Sequence, residues 1–70
     1  MGKCTFQFKT YKSFQKVAWA LLDTPFKFSV VNYQNGHELP RCITVWGDYA
    51  IEEVRNSCKE AGISYLEIAS

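Results

Sequence analysis

From residue 4 to residue 10 apolar and polar side chains alternate. Cys4, Phe6 and Phe8 share one parity, and Thr5, Gln7 and Lys9 share the other. A period of two predicts a half-buried strand. At Thr10 the period changes. Phe14, Val17, Ala18 and Leu21 fall at i, i+3, i+4 and i+7, one face of a helix for which Thr10 is the expected N-cap. Asp23-Thr24-Pro25 ends this helix, because a residue preceding proline is pushed out of the α region.

Residues 26–33 are rich in aromatic and β-branched side chains, residues 41–46 likewise, and Asn35-Gly36 between them is a strong hairpin signal. With Asn35 and Gly36 as the two loop residues, Phe28 faces Ile43, Phe26 faces Val45, Lys27 faces Thr44 and Ser29 faces Cys42. Apolar then meets apolar on one face and polar meets polar on the other. Pro40 falls at the start of the second strand, where a missing N–H is easily tolerated. Asp48 is the expected N-cap of a second helix, with Glu52 and Glu53 complementing its dipole and Ile51, Val54, Cys58 and Ala61 as its apolar stripe. Gly62 is the expected C′ terminator. Residues 63–69 alternate again as a last strand, with Leu66 and Ile68 on one parity and Tyr65 and Glu67 on the other.

Strand, helix, strand, strand, helix, strand with right-handed crossovers predicts an α+β, ferredoxin-like βαββαβ sandwich. Two helices cover one face of a four-stranded antiparallel sheet, in the spatial order 4-1-3-2. The 70 residues fit a single domain spanning 1–70, with no internal repeat or linker.

Composition narrows the function classes. The chain is 47% hydrophobic with 16% aromatics and a formal net charge of +1, the opposite of a disordered signature. It has no apolar run long enough to span a membrane and no signal-peptide pattern at its start. Cys4, Cys42 and Cys58 are odd in number and widely spaced, which predicts free thiols and a cytoplasmic, reducing setting. Charge is unevenly distributed: residues 1–35 sum to +4 and residues 36–70 to −3.

Catalysis is not expected. His37 is the only histidine and sits at the hairpin tip, with few neighbours to orient it as a base. Glu52 and Glu53 point about 100° apart on a helix. The four glycines are dispersed and form no phosphate loop. No C-x-x-C or histidine pairing suggests a metal, and no cofactor is implied.

Binding is the better expectation. Strand parity assigns to the open sheet face Thr5, Gln7 and Lys9, then Lys27, Ser29, Val31 and Tyr33, then Cys42, Thr44 and Trp46, and finally Tyr65 and Glu67. Trp46, Tyr33 and Tyr65 with Thr44 form one candidate protein-binding surface, since aromatic residues dominate interface hot spots. Trp19 on the outer face of the first helix, with Lys16 against its indole, forms another. The plainer alternative for Trp19 is that it folds over the helix edge and shields Leu22. These features suggest a small non-enzymatic regulatory or accessory protein that binds another protein by surface occlusion or complex assembly. Homodimerisation through the sheet is a variant. The alternative is single-stranded nucleic-acid binding on the open face, with Trp46 stacking a base and Lys9 and Lys27 contacting phosphates.

Overall fold

The computed structural model describes residues 2–31 and 41–68. Its elements are β1 (Lys3–Phe8), α1 (Tyr11–Leu22), β2 (Lys27–Val31), β3 (Cys42–Trp46), α2 (Asp48–Ala61) and β4 (Tyr65–Ile68). They form one antiparallel sheet in the order β2-β3-β1-β4, the arrangement expected of a ferredoxin-like α+β fold. The Asn35-Gly36 turn, His37, Pro40 and Tyr33 lie outside the described residues.

Local chemistry sets the helix ends. Thr10 is extended and its hydroxyl accepts the Ser13 N–H at 3.1 Å, which caps α1 as its sequence position predicts. At the other end the Thr24 hydroxyl donates to the Leu21 carbonyl at 2.7 Å and accepts the Phe26 N–H at 3.3 Å. One side chain thus closes α1 and starts the chain toward β2. α2 ends on Gly62 at φ 70°, with the Gly62 N–H on the Lys59 carbonyl and the Ile63 N–H on the Cys58 carbonyl. That pair of bonds is a Schellman motif.

The start of α2 differs from expectation. Gly47, at φ 103°, is the cap residue, and Asp48 is the first helical residue with no side-chain cap bond. The chain leaves β3 through a backbone turn that glycine adopts at low cost. Asp48 is displaced one position into the helix, where its charge still faces the positive end of the dipole.

The core lies between the sheet and the helices. Phe6, Phe8, Ile43, Val45 and Cys58 are fully enclosed, with Phe14, Val17 and Leu21 from α1 and Ala50, Ile51 and Val54 from α2 around them. Ala61, expected in the α2 stripe, is exposed, and Ala50 is buried instead.

Two further expectations are corrected. In the β2–β3 ladder Phe28 pairs with Val45, Ser29 with Thr44 and Lys27 with Trp46, two residues away from the pairing a turn at Asn35-Gly36 requires. A slip of two leaves every side chain on its own face, so the hydrophobic pattern alone does not distinguish the two registers. The second correction concerns β4. Its partners on β1 are Phe8 for Tyr65 and Phe6 for Glu67, so Tyr65 and Glu67 face the helices and Leu66 and Ile68 face outward.

Candidate functional site

The cross-strand register arranges the open sheet face in rows. Lys27, Trp46 and Lys3 stand side by side across β2, β3 and β1. The Lys27 ammonium lies 5.3 Å from the centroid of the Trp46 ring, a cation–π contact. Next comes a hydroxyl row of Ser29, Thr44 and Thr5, extended by Ile68, in which the Thr5 and Thr44 hydroxyls are 2.8 Å apart. The third row holds Cys42, Gln7 and Leu66. Leu66 and Ile68 are exposed.

Trp46, Lys27 and Thr44 therefore sit together, as their parity predicts. Tyr65 does not join them. Its ring packs edge-on against Phe6 at 5.3 Å between centroids, and burial raises its pKa. Lys9 lies beyond the end of β1, about 20 Å of extended chain from the Lys3 row at roughly 3.3 Å per residue. Lys3 occupies the place beside Trp46, and only the β1–β3 register reveals it. Tyr33 is outside the described residues.

Glu67 belongs to the other side of the sheet. Arg55 on α2 grips it through two bonds, Nε to Oε2 at 2.8 Å and Nη2 to Oε1 at 2.9 Å. The guanidinium holds the Glu67 carboxyl below its ordinary range and is itself held more firmly protonated. Cys4 Sγ donates to Glu67 Oε1 at 3.6 Å. Burial and the adjacent carboxylate both raise the Cys4 pKa, which works against a thiolate nucleophile. Cys42 and Cys58 are raised as well, chiefly by burial, and none of the three cysteines is in a disulfide.

α1 presents the second candidate surface. Taking Phe14 as the inward direction and about 100° per residue, Tyr11, Leu22 and Trp19 fall at about 60°, 80° and 140°. All three are exposed, Trp19 at 63% and Leu22 at 68%. Trp19 thus leaves Leu22 uncovered, and this flank of α1 is apolar. Lys16 lies round the helix from it, on the rim of an apolar groove of about 180 Å³ between α1 and α2, lined by Val17, Ala20, Leu21, Val54 and Ile63. Among the described residues the cation–π contact is the one at Trp46, not the one expected between Lys16 and Trp19.

No helix among the described residues is long and apolar enough to cross a membrane. Comparison with known protein families, curated proteins and solved structures finds no match for the chain.

Proposed function

We propose that this protein is a small non-enzymatic accessory or regulatory protein that binds another protein through the outer flank of α1. The observation behind this reading is the exposure of Trp19, Leu22 and Tyr11 along one flank of a helix whose opposite side is fully used by the core. Three large apolar side chains held on a regular element form an anchor cluster of the kind that dominates interface energetics. Lys12, beside Trp19 on the helix, borders the cluster, so the complementary partner presents an apolar pocket with an acidic edge. Three buried cysteines outside any disulfide suit a reducing, cytoplasmic setting.

Affinity purification from the native source after nuclease treatment tests the reading. Wild type and Trp46→Ala should recover the same stoichiometric partner, and Trp19→Ala should lose it. Recovery unchanged by both Trp19→Ala and Leu22→Ser would show that this flank is not the interface.

A further inference from the structure

We infer that the groove between α1 and α2 is a binding site for a free amino acid with a large apolar side chain. It lies round α1 from the Trp19–Leu22 flank and goes beyond the protein interface proposed there. The groove exists for two reasons. The helices lean on the sheet more than on each other. The residues that meet across the gap are also small, Ala20 on α1 with Ser57 and Ala61 on α2. Val17, Leu21 and Val54 are buried beneath it, and the half-buried Phe26 and Ile63 complete an apolar lining. Its volume is about 180 Å³. A cavity of about 150 Å³ takes benzene, so the groove accepts one phenyl-sized group.

The charges at its mouth select the class of ligand. Of the described residues that line the groove, Lys16 and Glu53 are the charged ones, one on each helix. Neither has an ion-pair or hydrogen-bond partner among the described residues, so a cation and an anion stand unpaired on opposite lips. An apolar carboxylate would satisfy Lys16 but meet Glu53, and an apolar amine would do the reverse. An apolar side chain in the middle of a partner's chain carries no charge for either lip. A free amino acid supplies all three parts: an apolar group for the groove, a carboxylate for the Lys16 ammonium and an ammonium for the Glu53 carboxylate. Ser57, one turn beyond Glu53 on α2, adds a hydroxyl to the same lip.

Proton–nitrogen correlation NMR of the full chain, titrated with L-phenylalanine, tests this. Saturable shifts should centre on the amides of residues 16–21 and 53–57, which line the groove from its two helices. L-alanine, with no group to fill the groove, should produce none. Hydrocinnamate lacks the ammonium and phenethylamine lacks the carboxylate, so each should bind about two- to fivefold more weakly, the worth of one exposed ion pair. Lys16→Gln should weaken L-phenylalanine by the same factor and leave phenethylamine no weaker. Glu53→Gln should likewise weaken L-phenylalanine and leave hydrocinnamate no weaker. Ala20→Leu, which fills the groove with another strong helix former, should abolish the shifts. Trp19→Ala should bind L-phenylalanine like wild type, so failure of the protein-partner reading and failure of this one are separable. The inference is overturned by absence of saturable shifts at the groove or by undiminished binding to Ala20→Leu. Binding of L-phenylalanine no tighter than that of hydrocinnamate or phenethylamine would also overturn it, by showing that one of the two lips takes no part. Cooperative urea unfolding of each variant confirms that it is folded.

Discussion

At φ 103° and ψ 129° the Gly47 backbone lies where a side chain collides with its own main chain, while a Cβ built there meets no other atom within 4 Å. The cost of Gly47→Ala is therefore conformational, about 1–3 kcal/mol. Gly62 sits in the ordinary left-handed well, so Gly62→Ala should cost less, about 1 kcal/mol, and Gly62→Asn less again. Urea unfolding of the three variants checks the ranking. Glu67 makes a second residue-level prediction. Its folded pKa is lowered by Arg55, so its contribution is fully present above the ordinary carboxylate range and is lost as pH falls through the lowered value. The pair is partly exposed and salt-screened, so the effect is modest. Comparing urea midpoints at about pH 6 and about pH 3, wild type should lose more stability on acidification than Arg55→Gln. Equal losses would mean that the contact contributes nothing.

Among the elements, β4 is the least secured. It has four residues on a sheet edge, its one neighbouring strand among the described residues is β1, and Leu66 and Ile68 face outward. Beyond the ladder, its ties among the described residues include the Tyr65 ring against Phe6 and Phe8, the Arg55 grip on Glu67 and the Cys4 thiol on Glu67. Hydrogen exchange should accordingly be faster for β4 amides than for the amides that join β1 to β3. α1 depends on its cap: Thr10→Ala should cost about 1 kcal/mol by removing the acceptor for the Ser13 N–H. Trp19→Ala and Leu22→Ser, by contrast, should change stability by no more than about 0.5 kcal/mol, because neither side chain belongs to the core. A large loss in either would mean the flank is structural rather than a free surface.

At the scale of the whole molecule, one small core carries the stability. Phe6→Ala removes a fully enclosed ring at its centre and should cost about 3–5 kcal/mol, enough to unfold much of a chain this short. The same core protects two of the thiols, Cys58 fully and Cys4 nearly so, and Cys42 on the other sheet face is nearly buried as well. All three should react with a thiol reagent only as fast as the protein opens. A rapid native-state reaction would place one of them at the surface. Light scattering should give a mass near 8.1 kDa at high concentration. A value twice that would mean that a second copy covers an exposed apolar surface such as the α1 flank.

Periodicity, caps and breakers were enough to determine the six elements, their order and the inward faces of β1, α1, β2 and β3. Those features are written in local residue types that act wherever the chain goes. The register and the inward face of β4 were not determined that way. Tyr65-Leu66-Glu67-Ile68 reads as apolar on either parity once a tyrosine is allowed to bury its ring and a glutamate to meet an arginine. Only the arrival of Arg55 from α2 turns Glu67 inward and leaves Leu66 and Ile68 outside. The Lys3–Trp46–Lys27 row is a tertiary product in the same sense. Its members are separated by up to 43 positions in the chain, and a two-residue slip, which costs no hydrophobic pairing, decides which lysines flank the indole.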